Sequence, residues 1–288
     1  MTLYHGANRT WDVIHGVAQQ REITLLGCIP TGSRRNWGAR VESPDMQIVC
    51  ATTAIIGAHV SGEKDAAFAA AEISVEDLTL WAVTSVFSCY HGYRDGMPDG
   101  TGTISVKPVE TQRVNVEGTE YSLVHTHILP HLDYCRGATV GRMRDTASIC
   151  VRRAEPFDLR TALEAASLIQ DLIALATHRA AGVIWLQLEV AGTQVFLPNG
   201  RRLPPRRVDV LYSPVAVGKS DEKAIEPDSA FFTCEMLSFE QIMPRWCGVR
   251  GRLQAAINMI LGLRYAPARF VENNLLMAAG AAEALHRG

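Results

Sequence analysis

No apolar run in the 288-residue sequence approaches the roughly 18–20 residues that span a bilayer, so a membrane-crossing helix is not expected. The N-terminus, MTLYHGANRTWDVIHG, has no basic stretch followed by an apolar one, which argues against secretion through a signal peptide. Nor is there an excess of one charge. The 28 Lys and Arg stand against 30 Asp and Glu, a formal net charge of −2, so any nucleic-acid contact has to come from local patches. A regular cysteine framework is also missing: seven Cys, an odd number at irregular spacing, fit a reduced cytoplasmic chain better than a disulfide scaffold. Internal repeats and low-complexity segments are absent. So are G-x-G-x-x-G, the P-loop, G-x-S-x-G and H-E-x-x-H, which removes the common cofactor and hydrolase signatures and leaves no cofactor expected.

What remains is an ordinary globular composition, 47% hydrophobic and 20% charged, long enough for one large or two ordinary domains. The first half reads as β. Met46 to Val60 is rich in β-branched residues, with Gly57 as a bend, and Phe68 to Ile73 is a second short strand. Thr103 to Val109 and Arg113 to Val116 alternate, and the turn residues Glu117 and Gly118 lead into Tyr121 to Ile128 as a hairpin. Ser148 to Arg153 is another strand, and the Gly, Asp and Pro content between Tyr90 and Gly102 marks a loop.

A helix then starts at Asp158 as N-cap, with Leu159, Leu163, Ala166, Ile169, Ile173 and Ala176 at helical spacing and Gly182 closing the element. Val183 to Val190, Gln194 to Leu197 and Arg207 to Tyr212 return to a β pattern, and 214–230 read as a polar connector. From Ser238 the chain turns helical, with Gln241 completing the form of a capping box. Pro244 and Gly248 interrupt that helix, Arg252 to Leu263 resume it, and Tyr265 to Pro267 break it again. The last helix, Arg269 to Arg287, carries Val271, Leu275, Ala278, Ala282 and Leu285 on one stripe that has to bury itself against something. The expected fold is α+β. A sandwich-like or barrel-like β-rich region covers 1–155, a helix with further strands 156–235, and a helical segment 236–288.

Two constellations can carry chemistry. His125, His127, His131 and Cys135 are the densest set of metal-capable side chains, and His125 and His127 share a strand face as two ligands should. Pro130 interrupts the run and its spacing matches no standard zinc pattern, so ordinary histidines at a polar strand end are the blander alternative. Arg201, Arg202, Arg206 and Arg207 bracket Leu203-Pro204-Pro205 and offer guanidinium groups for phosphate or RNA, against the alternative of a solvated loop. Arg142, Arg144, Arg152 and Arg153 form a second, weaker basic region. Free Cys28, Cys50 and Cys89 have no nucleophile context, and Trp81, Trp185 and Trp246 read as core.

The run Ile55 to Ala82 (IIGAHVSGEKDAAFAAAEISVEDLTLWA), through Ile56, Gly57, His59, Phe68, Ile73, Leu78 and Trp81, resembles the N-terminal domain of ApeA, an anti-phage abortive-infection protein. Leu163 to Thr177 is similar to that family's helix. Ser238 to Cys247 and Arg269 to Arg287 look like the approach to, and first helix of, its HEPN domain. The resemblance implies a β-rich sensor that responds to a phage-derived trigger protein and controls a HEPN ribonuclease, commonly dimeric, that cleaves tRNA. HEPN nucleases work with Arg and His of an R-x4-6-H motif on the 2′-hydroxyl and phosphate, without metal.

That motif is expected beyond this chain's last helix. The one match here, Arg9 to His15, lies at the wrong end and reads as chance. Glu283, His286 and Arg287 occupy the matching end of the first HEPN helix, where they support a site but cannot form one alone. By this reading the chain is no enzyme as it stands, truncated before its nuclease, with homodimerisation covering the C-terminal stripe. Two other readings stay open: a stand-alone β-rich module binding carbohydrate or protein, and a metal-dependent enzyme built on His125, His127 and His131.

Overall fold

A computed structural model describes residues 10–34, 46–193, 197, 199–201, 203–213, 226–266 and 270–287. The chain begins with strands β1 (Trp11–Ala18), β2 (Arg21–Arg34), β3 (Met46–Cys50), β4 (Thr53–Ile56) and β5 (Phe68–Val75), then a single helical turn, α1 (Leu78–Trp81). Strands β6 (Phe87–Arg94), β7 (Met97–Val106), β8 (Gln112–Val116), β9 (Thr119–Cys135) and β10 (Ala138–Phe157) follow. Helix α2 (Leu159–Thr177) precedes β11 (Val183–Val190) and β12 (Arg207–Tyr212), and helices α3 (Phe239–Arg252), α4 (Gln254–Tyr265) and α5 (Val271–Arg287) complete the order. The fold is α+β, with antiparallel strand pairing and the helices gathered toward the C-terminus.

The described residues form two compact units. The first comprises Met1–Ala71, Glu155–Leu163 and Trp185–Val215. Its strands run in the order β1-β2-β4-β12-β11, with β3 paired to the far half of β2. The strands before Met46 carry no strong alternation, and sequence reasoning passed over them. They form because Gln19 and Gln20, both at positive φ, close a two-residue hairpin. Leu26, Cys28, Ile55, Leu186, Leu188, Val208 and Val210 are buried, the inward row that alternation in strands produces. Gly57 bends the chain out of β4 at φ +122°, and a Cβ there would stand 3.2 Å from Val208 Cγ1 and 3.3 Å from the Arg207 carbonyl. Only glycine fits that bend.

The second unit comprises Glu72–Ala154, Glu164–Ile184 and Ala216–Gly288. A β8-β9-β10 meander and the separate β6-β7 pair supply its strands. The turn at Glu117 and Gly118, both at positive φ, joins β8 to β9 as the sequence predicts. The expected loop from Tyr90 to Gly102 is instead the β6-β7 hairpin. Asp95 and Gly96, at φ 52° and 80°, are a two-residue hairpin turn whose Asp-Gly signature was outweighed by the surrounding glycines. Strands β9 and β10 pair from Thr119 with Arg153 out to Cys135 with Ala138, so Pro130 and the glycines do not end them. The ladder absorbs them through a register shift between Arg142 and Arg144.

Helix α2 begins as predicted, with the Asp158 carboxylate accepting the Thr161 N–H at 2.9 Å. Helix α3 corrects the sequence reading twice. Ser238 makes no side-chain cap bond, and Pro244 sits inside the helix, which runs on to Arg252. Proline removes one helix hydrogen bond, and packing of Phe239, Ile242, Met243 and Trp246, all buried, outweighs that loss. Trp246 Nε1 donates to the Leu168 carbonyl at 2.9 Å, and Arg250 pairs with Asp171 at 2.7 Å, so α3 is fixed to α2.

The α5 stripe stays uncovered within the chain. Val271, Leu275 and Leu285 are exposed, as are Ala278 and Ala282, while the helix meets α4 through small residues, with Ala281 buried and Gly280 placed against the Met259 thioether. Close approach of two helices requires a side without bulk, and the large residues turn away from it.

Gly57→Ala is expected to lower stability by about 1–3 kcal/mol, read as a fall in the urea midpoint; an unchanged midpoint would refute the requirement for glycine. Cysteine alkylation near about pH 8 separates the thiols, since only thiolate reacts. Cys50, Cys89 and Cys135 are exposed and label fast. Burial pushes Cys28 and Cys247 up and Cys234 up to about 12, so these three label only on unfolding. Mass spectrometry of the labelled native chain checks the order.

Candidate functional site

The histidine run is built by β9. His125 lies almost wholly inside, 1% exposed, with Nδ1 3.3 Å from Asp145 Oδ1 and Nε2 3.0 Å from the Thr84 hydroxyl. Asp145, from β10, is 8% exposed and its second oxygen accepts the Val86 N–H at 3.1 Å. One carboxylate therefore orients the imidazole and holds the chain where it enters β6. His127 meets the Phe87 ring edge-on at 6.2 Å. His131 lies farther out, 3.4 Å from Asp133, which also pairs with Arg142 at 2.6 Å.

Cys135 is exposed at the strand end, about 33 Å from His125 at the rise of an extended chain. The structure therefore spreads these four residues along one strand and does not converge them. Among the described residues, no group of three or more His, Cys, Asp or Glu is placed to hold a metal ion.

The arginines divide in the same way. Arg206 binds Glu22, whose carboxyl it holds below the usual carboxylate range, and Arg207 lies opposite Glu189 in the β11-β12 ladder. Arg201 is exposed beside Asn199, and Arg202 lies outside the described residues. Of the second basic region, Arg142 is paired with Asp133, Arg144 leans on the Thr146 hydroxyl, and Arg152 and Arg153 face Glu120 and Thr119 across the ladder. In α5, Glu283 and His286 are exposed on the last turns. Their i, i+3 spacing sets Glu283 and His286 on one face, and Arg287 is the last residue of the helix.

Sequence reasoning missed a cluster in the first unit. His15 of β1 stacks on His59, ring centroids 4.7 Å apart and planes 20° from parallel. His15 Nε2 donates to the Val60 carbonyl at 2.8 Å, and His59 Nε2 to the Gly16 carbonyl at 3.0 Å. Glu22, bound to Arg206, lies beside His59, whereas Arg21 and Asp209, 2.9 Å apart, pair on the opposite face of the sheet. Two imidazoles, one carboxylate and one guanidinium thus meet on β1, β2 and the chain that follows β4 and precedes β12. Their separation in sequence, from 15 to 206, leaves no local motif to find. The His15 of the chance Arg9 to His15 match is a partner in this stack, and Arg9 lies outside the described residues.

Residues that carried the resemblance take packing positions. Phe68, Ile73, Leu78 and Trp81 are fully buried, Gly57 is the obligatory bend, and His59 is the stacked ring. Residues 5–246 match the family ApeA N-terminal domain 1. The chain belongs to this family. No curated protein and no solved structure matches. The ApeA pattern, placed on the fold, is therefore a signature of how the domain packs. Its one exposed polar member, His59, is what connects it to the titratable cluster. Among the described residues, no helix is long and apolar enough to cross a membrane.

Asp145→Ala leaves the Val86 N–H and His125 without their acceptor, and an unmade buried hydrogen bond costs about 1–3 kcal/mol. The expected outcome is lower stability together with faster amide exchange at Val86, read by hydrogen exchange. Protection at Val86 equal to the parent chain's would show that Asp145 does not hold this strand.

Proposed function

We propose that the chain is the sensor and regulatory region of an ApeA-like anti-phage protein that acts through abortive infection. The observation carrying this reading is the family match over residues 5–246, which ends inside α3 and is followed directly by α4 and α5. Residues 1–235 are the sensing part, and 236–288 lead into a HEPN ribonuclease whose first helix is α5. A phage-derived protein is the trigger, RNA is met only through the HEPN domain, and the setting is cytoplasmic.

Two features support the assignment of α5. Its exposed apolar residues Val271, Leu275 and Leu276 are the kind of surface that further helices or a second copy cover. Glu283 and His286 stand on one face at its end, with Arg287 next in sequence, beside where an R-x4-6-H motif would follow. Coupling has a physical path in this reading. Helix α3 is fixed to α2 by Trp246 and Arg250, so a change felt by α2 moves the helix from which α4 and α5 continue. Arg201 and Arg207 are secondary candidates for RNA contact, as is Arg202, which lies outside the described residues.

The purified 288-residue chain is expected to leave tRNA intact, with or without divalent metal. The reading frame that includes a HEPN domain is expected to arrest growth of phage-infected cells. Cleavage of tRNA by this chain alone overturns the reading, as does a natural frame with no R-x4-6-H after α5.

A further inference from the structure

The β6-β7 hairpin has no core of its own. Every residue of both strands is exposed or half-buried, and among the described residues the two strands pair only with each other. An isolated two-stranded hairpin is marginal in water and gains stability from a third strand or a packed face. At its foot Phe87 meets His127, and Val86 is held by Asp145, so the hairpin is anchored at one end and otherwise unsupported.

The backbone shows which groups are free. The Val86 carbonyl accepts from Lys107 N at 2.8 Å, and the Tyr90 carbonyl lies 3.3 Å from where a Cβ on Gly102 would stand. Even-numbered residues of this stretch therefore turn their N–H and C=O toward β7. By the alternation of an antiparallel pair, Cys89 and His91 turn theirs outward. The Phe87 N–H, outward by the same rule, is taken by the Ser85 hydroxyl at 3.1 Å.

Proteins guard such edges with lysine, proline or a bulge. Phe87–His91 has neither lysine nor proline, and the irregularity between His91 and Tyr93 lies beyond the stretch. Side chains on the two faces, Cys89 and Ile104 on one and Tyr90 on the other, are exposed. The charged residues of the hairpin are Arg94, Asp95 and Asp99, too few cations to hold a polyanion.

We infer that the outer edge of β6, Phe87–His91, is the docking edge for an extended strand of a partner protein with alternating apolar side chains, by strand addition. In the functional reading above, on which this occupant's identity rests, that partner is the phage-derived trigger.

The test uses the full 288-residue chain and a phage-displayed library of random ten-residue peptides. Enriched peptides are expected to alternate apolar and polar residues and to protect the Cys89 and His91 amides from hydrogen exchange. They are also expected to bind Cys89→Pro about tenfold more weakly, the value of one or two backbone hydrogen bonds. Proline at 89 removes an outward N–H and leaves the bonds to β7 in place. The exchange measurement on the parent chain decides the matter if that variant misfolds.

Failure to enrich alternating peptides, protection elsewhere, or equal binding by a folded Cys89→Pro overturns the inference. So does a single-stranded RNA oligonucleotide that binds and protects the same amides. Peptide binding at β6 in a chain whose full reading frame gives no phage resistance keeps the docking edge and removes the trigger assignment.

Discussion

A half-buried carboxylate that cannot be left alone decides where the helical half of the second unit sits. Asp171 on α2 receives both Nε and a terminal nitrogen of Arg250 on α3, at 2.9 and 2.7 Å. Burial pushes the Asp171 pKa up even with the guanidinium beside it. The folded chain therefore holds that proton more tightly than the unfolded one. The contribution of this carboxyl to stability falls as pH rises from the ordinary carboxylate range through the raised value. Such a pair specifies position more than it adds stability, because a register that separated the two would strand a charge. With Trp246 bonded to the Leu168 carbonyl, α3 has one placement on α2. The links that continue into α4 and α5 inherit it.

Much of the fold was legible because its signals are local. The helix from Asp158, the turn at Glu117 and Gly118 and the strands around Gly57 each announce themselves within a few residues. What was hidden depends on partners far off in the chain. Trp11 to Arg34 are strands because β4 and β3 lie beside β2, and nothing in their own pattern demands it. Helix α3 passes through Pro244 because four buried side chains outweigh one absent hydrogen bond, a balance invisible before packing is known. The long β9-β10 ladder carries Pro130 and Gly141 because two paired strands tolerate an irregularity that one strand alone would not.

Candidate site residues were less legible, for the same reason. Proximity in sequence gathered His125, His127, His131 and Cys135 into an apparent set, and extended geometry then dispersed them. Sequence distance separated His15, Glu22, His59 and Arg206, and the sheet of the first unit brought them together. The family pattern is mostly side chains that fill space. Trp81 is fully buried and its indole N–H has no partner among the described residues, a residue held for its volume. Membership of the ApeA N-terminal domain family is thus a statement about packing, and chemistry has to be sought where that packing leaves polar groups exposed.

The contact of α5 with α4 has one more consequence. A bare glycine hydrogen at Gly280 faces the thioether of Met259, so the two helices meet there on a soft, polarisable group. Oxidation of that thioether to the sulfoxide adds a polar oxygen at an apolar helix contact. At Gly280, helix α5 is therefore seated on a group that a mild oxidant can enlarge.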